Sequence, residues 1–329
     1  MDLKQSLNKI NSLFESKEKE TVFLDLGARY IKGVTKEQKT IKNVFIEEAT
    51  SDHAKDIVNI LKKYHLLSAG VNLCIKSPDA IMRYIPFPRM EKKGLKQSFS
   101  FELSKHIPFP AETVYFDVCV IEEEFSKTES LVLLAAVKKD VLTPIIEEAA
   151  KEKINISTIT LSPLSLINVF LSWQTPADNC AIIDIGYGST SLSLIRKTMP
   201  YLSREIKISG KSLLKKISSI KSCDSTEAEK ILVAQQNPAE IAEINEEIFL
   251  GIAEEIRSSL DYFEMNTGEQ INTLYLTGGF SYLPGADTLL ANSLGLEAKP
   301  WKPWEKLNIP LPDKSLPPDM FSAVMGLVL

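Results

Sequence analysis

Asp184-Ile-Gly-Tyr-Gly-Ser-Thr190 follows the apolar run Cys180-Ala-Ile-Ile183 and precedes the alternating segment Ser191-Leu-Ser-Leu-Ile195. A short buried run, an acid, two glycines and two hydroxyl residues predict a tight hairpin. Glycine permits the turn that lets backbone N–H groups converge on an anion. The acid cannot hold phosphate itself, but it suits a hydrated Mg²⁺, which prefers oxygen ligands and keeps most of its waters. Any hairpin with an acid at its start has this outline, so one copy says little. A second copy stands upstream: Val22-Phe-Leu-Asp25-Leu-Gly27-Ala-Arg-Tyr-Ile-Lys32-Gly33-Val34, with Asp25 and Gly27 where Asp184 and Gly186 stand. Two such hairpins predict a duplicated fold clasping one ligand.

The length of 329 residues allows about two domains of ~150 residues each. With 44% hydrophobic and 25% charged residues, a disordered or fibrous chain is excluded. Thirty-eight Lys plus Arg against 43 Asp plus Glu give a net charge of −5, so no global basic field favours nucleic acid. Cys74, Cys119, Cys180 and Cys223 lie far apart with no Cys-x-x-Cys pair, which predicts reduced cysteines and a cytosolic setting. No run approaches the ~20 apolar residues of a membrane span, and the amino terminus has no signal-peptide core. Membrane association is therefore expected only through partners.

Residues 1–20 place Leu3, Leu7, Ile10, Leu13 and Phe14 at helical spacing, an amphipathic extension expected to pack on the body or on a partner. From Thr21 the pattern reads strand, turn, strand, then a helix from about Asp52 to Leu67 and the strand Val71–Ile75, an α/β arrangement. Ile85-Pro-Phe-Pro88 and Ile107-Pro-Phe-Pro110 bracket a helix with Leu95, Phe99 and Leu103 on one face. Two strands and a helix from near Asp140 follow, a unit that reads as inserted. A strand at Ile156–Leu161 leads through Ser162-Pro163 into an apolar helix ending at Trp173.

Tyr201–Ile208 reads as a further strand, and Gly210-Lys211-Ser212 opens a helix. A P-loop would need glycine where Glu205 stands, and a dinucleotide fingerprint would need it where Ser191 stands, so both are rejected. After Pro238 comes a long helix whose stripe from Ile241 to Phe263 predicts core packing. The strand Leu274–Thr277 ends in Gly278-Gly279-Phe280, where paired glycines let the backbone approach a ligand. Trp301 and Trp304, in a proline-rich tail, are expected to cover a core edge. His53, His65 and His106 are isolated and read as surface or core-edge residues rather than metal ligands.

The two Asp-x-Gly hairpins, Gly278-Gly279 and their order resemble the actin-like ATPase superfamily. The doubled Ile-Pro-Phe-Pro, Glu254-Glu-Ile-Arg-Ser-Ser-Leu-Asp-Tyr-Phe263 and Phe321-Ser-Ala-Val-Met-Gly-Leu327 are similar to the PilM family of type IV pilus assembly proteins. The resemblance implies an α/β, actin-like two-lobed fold: residues 21–80 and 153–178 as the first lobe, 81–152 as an inserted α+β subdomain, 179–209 and 270–329 as the second lobe, and 210–269 as its helical subdomain. It implies ATP and Mg²⁺ in the cleft. Asp25 and Asp184 would face the hydrated metal. Gly27, Lys32, Gly186, Gly188, Ser189 and Thr190 would line the phosphates, and Gly210, Arg257, Ser259, Gly278, Gly279 and Phe280 would surround ribose and adenine.

As partners the resemblance implies the N-terminal cytoplasmic tail of a PilN-like inner-membrane protein, other platform proteins of the pilus machine and self-association, with the chain peripheral at the cytoplasmic face of the inner membrane. Two departures bear on activity. Ala28-Arg29-Tyr30 stands where the first hairpin usually carries serines, and Ser162-Pro163 stands where the family has Glu-Pro, with no acid between Lys153 and Ala177. A serine cannot accept the attacking water's proton at neutral pH. The implied function is a nucleotide-binding scaffold with little or no hydrolysis. Two alternatives stay open: a small-molecule kinase of the same superfamily, or a scaffold that no longer binds nucleotide.

Overall fold

The computed structural model describes residues 20–38, 40–174, 176, 178–233, 238–307, 312 and 317–329. Of the amphipathic extension only Glu20 is among them. The first half runs β1 (Thr21–Leu26), β2 (Tyr30–Glu37), β3 (Thr40–Glu48), α1 (His53–Lys63), β4 (Gly70–Ile75), β5 (Ala80–Pro88), α2 (Lys92–His106), β6 (Val114–Glu122), β7 (Glu129–Lys138), α3 (Lys139–Lys151), β8 (Asn155–Leu161) and α4 (Ser162–Trp173). The second runs β9 (Cys180–Ile185), β10 (Thr190–Arg196), β11 (Met199–Ile206), α5 (Gly210–Lys221), α6 (Ser225–Val233), α7 (Pro238–Thr267), β12 (Thr273–Thr277), α8 (Ala286–Leu294), β13 (Glu297–Pro300) and α9 (Ser322–Val328).

Two five-stranded sheets have the same construction, in the orders β3-β2-β1-β4-β8 and β11-β10-β9-β12-β13. In each, a hairpin and a third antiparallel strand are followed by two parallel neighbours. The central strands β1 and β9 are almost continuously buried, as strands covered on both faces must be. The repeat read from Asp25 and Asp184 is thus a repeat of whole sheets.

Between the sheets lie α4 and α9. The sequence of α4 is apolar around most of its circumference, which suits a helix with protein on every side. Its Leu166, Val169 and Phe170 share one core with Phe23 of β1, Ile182 of β9, and Phe321, Val324 and Met325 at the end of the chain. Trp301 and Trp304 close that core and are each 3% exposed. Ser165 Oγ donates to Ala323 O at 2.7 Å, and a Cβ on Gly326 would overlap the Ser165 backbone, so the two helices touch main chain to main chain.

The inserted sheet has the order β5-β7-β6. Leu95, Phe99 and Leu103 of α2 pack on it, and the Phe87 and Phe99 rings lie 4.9 Å apart. Helix α3 lies between this unit and the first lobe, with Tyr115 Oη of β6 3.3 Å from its Thr143 Oγ1. Its Leu142, Ile145 and Ala149 share one core with Val58 and Leu61 of α1 and with Met82, Leu133 and Val137 of the inserted sheet. Tyr84 Oη lies 3.2 Å from Ser203 Oγ of β11, tying the insertion to the second lobe. Helix α1 stops four residues before the expected end, where His65 takes a left-handed backbone (φ 59°). Helix α6 was not expected; Asp224 Oδ1 accepts from Glu227 N–H at 2.8 Å and caps its start.

Candidate functional site

Parallel strands bring their carboxyl ends to one rim, the usual ligand position in α/β sheets. Here Asp25 near the end of β1, Lys76 after β4, Asp184 near the end of β9 and Gly278 after β12 meet at a cleft of about 810 Å³ between the lobes. Ten of the residues named from sequence line it: Asp25, Gly27, Lys32, Asp184, Gly186, Gly188, Ser189, Gly278, Gly279 and Phe280.

Each of the two acids carries a lysine. Asp25 and Lys32 are direct cross-strand partners in the first hairpin, and Lys32 Nζ lies 2.7 Å from Asp25 Oδ2. Lys76 crosses from the first lobe to place Nζ 2.8 Å from Asp184 Oδ2 and 3.1 Å from Asp184 O. Burial works against the Lys76 charge, but Asp184 and Glu205 beside it outweigh that and raise its pKa. Both pairs are nearly buried, with side-chain exposures of 10% and 6% for the first and 12% and 12% for the second. Lys76 was missed from sequence. Its signal is a lysine ending the apolar strand Val71–Ile75, in parallel register with β1.

The second hairpin spends its hydroxyls internally. Ser189 Oγ donates to Glu205 Oε2 at 2.6 Å, Ser191 Oγ donates to Glu205 Oε1, and Thr190 Oγ1 donates to Ile208 O at 2.8 Å. Burial raises the Glu205 pKa against the pull of Lys76 and the two serines. Thr190 is therefore fully buried and does not line the cleft. Gly210 also lies behind it, donating its N–H to Gly186 O at 3.0 Å while the Phe280 ring covers its Cα. Arg257 and Ser259 are not brought to the cleft either. Helix α7 packs its stripe on the second lobe's core; Ser259 turns into that packing at 3% exposure, and Arg257 faces outward to donate to Ser293 O. Gly278 is required by geometry: its φ is +95°, and a Cβ there would strike Asp184 Oδ1 and come within 2.7 Å of Ile185 O.

The mouth is bridged between lobes. Arg29 ion-pairs with Glu229 of α6 at 2.8 Å and lies over the Tyr30 and Tyr187 rings at 5.5 and 6.0 Å. A Cβ on Gly188 would come within 2.8 Å of Ala28 Cβ, so the two hairpin tips are in near contact. Ser162 lines the floor at 1% exposure. Asp319 also lines the cleft. It is 3% exposed, its Oδ1 is buried without a hydrogen-bond partner, and burial raises its pKa to about 6.

The arrangement can receive a polyanion against two fixed ammonium groups and the glycine backbone of two hairpins. It offers a divalent ion little. Both acids expected to face Mg²⁺ are already paired with lysine through one carboxylate oxygen each. The residues present therefore do not fit a resident Mg²⁺.

A search of the curated proteins returned no match. Among solved structures, the chain is similar to a PilM–PilN type IV pilus biogenesis complex, with 22% identity, TM-score 0.81, and coverage of 94% of this chain and 98% of that one. It is also similar to the ethanolamine utilization protein EutJ from Carboxydothermus hydrogenoformans (15% identity, TM-score 0.56, 98% and 96% covered). A third likeness is to MreB 5 of Spiroplasma citri bound to AMPPNP (12%, TM-score 0.51, 94% and 95%). These likenesses, with the two matching sheets, make the fold the actin-like two-lobed one. The family model for the type IV pilus assembly protein PilM matches residues 16–322, and the chain belongs to that family.

Proposed function

We propose that this protein is a scaffold of the type IV pilus assembly machine, which holds ATP between its lobes and docks the cytoplasmic tail of a PilN-like inner-membrane protein, with little or no hydrolysis. The observation that carries this reading is an intact interlobe cleft with Ser162 on its floor. The paired glycines, the two lysines and the hairpin backbone suit a nucleotide's phosphates. No carboxylate stands at Ser162 to orient and deprotonate a water, a contribution commonly worth ~10²-fold or more in rate.

The solved PilM–PilN complex supports the choice of partner, and the nucleotide analogue bound to MreB 5 supports the choice of ligand. Mg²⁺, expected from the resemblance, is the part of the reading that the paired carboxylates oppose. No helix among the described residues is long and apolar enough to cross a membrane, so attachment to the inner membrane would run through the partner.

Two measurements test the proposal. A synthetic PilN-like tail should bind the purified chain saturably. Phosphate release from ATP, with and without that peptide, should stay far below ~1 s⁻¹, the low end of ordinary enzymes; turnover at that rate would refute a scaffold.

A further inference from the structure

We propose that the cleft takes its oligophosphate without a divalent cation, Lys32 and Lys76 standing in for the metal ion; this rests on the nucleotide reading above. A carboxylate that serves a hydrated metal must accept hydrogen bonds from the metal's waters. Asp25 Oδ2 and Asp184 Oδ2 each accept from an ammonium group at 2.7 and 2.8 Å, so one oxygen of each acid already faces a fixed positive charge. Lys76 is fixed twice, by the carboxylate and the carbonyl oxygen of Asp184. An ammonium has three donors, so one N–H remains for a ligand.

The position of the lysines is as telling as their pairing. A Cβ on Gly27 would come within 2.7 Å of Lys32 Nζ, and one on Gly186 within 3.0 Å of Lys76 Nζ. Each ammonium thus lies against the turn of a hairpin whose own glycine N–H is spent on Asp25 O or Ser189 O at 3.1 Å, and both lysines line the cleft as donors. Two ammonium groups carry the charge of one divalent ion, and a metal entering here would meet both at close range. Of the other groups near the two acids, Ser162 stands where an acid was expected and Glu205 is occupied by Ser189 and Ser191, while the remaining cleft carboxylate, Asp319, is 3% exposed.

Titration calorimetry of the full chain with ATP, once in excess EDTA and once in excess MgCl₂, tests this. The expected result is a Kd in EDTA within about threefold of that in MgCl₂. A Kd at least ~10-fold tighter with Mg²⁺, or binding with Mg²⁺ alone, overturns the inference and leaves the nucleotide reading standing. No binding in either buffer overturns both. Lys76→Gln gives a second readout, with circular dichroism to confirm its fold. Release of Asp184 should make ATP binding Mg²⁺-dependent by ~10-fold or more, whereas an equal loss in both buffers counts against the substitution of lysine for metal. If the variant does not fold, the wild-type comparison decides.

Discussion

Asp319→Asn isolates one buried charge whose cost can be worked from the structure. Asp319 is 3% exposed, and its Oδ1 has no hydrogen-bond partner. Burial raises its pKa from the ordinary 3.8 to about 6, with Lys302 pulling weakly the other way. The folded state therefore prefers the protonated acid. That contribution is fully present below the unfolded pKa near 3.8 and is lost as pH rises through the folded pKa near 6. Above that the charged form is carried at a cost of up to about 3 kcal/mol, from 1.36 kcal/mol per pH unit across the interval. Asparagine has the same shape and no charge, so the variant should be more stable than the wild type by up to about 3 kcal/mol at pH 7.5, by about half of that at pH 5, and by only about 0.5 kcal/mol at pH 4. At ~2 °C per kcal/mol for a chain of this size, the melting temperatures should differ by about 6 °C at pH 7.5. Thermal unfolding of both proteins between pH 4 and 8 reads this directly. A difference that does not change with pH, or a less stable variant at pH 7.5, would refute the reasoning.

Three further outcomes follow from the same geometry. Ser162→Glu restores a carboxylate to the cleft floor, and phosphate release should rise by ~10²-fold; no change in a variant that melts like the wild type would remove the account of its low turnover. Gly278→Ala forces a left-handed backbone on alanine and drives its Cβ into Asp184, so a chemical-denaturation midpoint should show a loss of ~2 kcal/mol or more. The Arg29–Glu229 pair is about one-third exposed, and a double-mutant cycle by urea unfolding should find a coupling below ~1 kcal/mol; a much larger value would make it a structural clamp rather than a weak bridge at the mouth.

The part of the fold legible in the sequence was the part governed by neighbours in the chain. The two hairpins around Asp25 and Asp184, the helix between the Pro-Phe-Pro segments and the strand into Gly278 all depend on turn chemistry and side-chain period, which act over a few residues. Lys32 belongs with these, because a hairpin register alone sets it opposite Asp25. Other features came only from packing. Lys76 reaches Asp184 across 108 positions because β4 runs parallel beside β1 and the lobes face each other. The hydroxyls of Ser189 and Thr190 resemble phosphate donors in sequence, but Glu205 on β11 and Ile208 lie close enough to take them. Ser259 and Arg257 share a motif with the stripe of α7, yet the rotation of that helix on its sheet sends one into the core and the other to the surface. By itself the sequence determined two acids on two matching hairpins. Only the tertiary structure decided that the second acid, Asp184, already holds an ammonium group from the other lobe, since which charges meet across a cleft depends on how two sheets are docked.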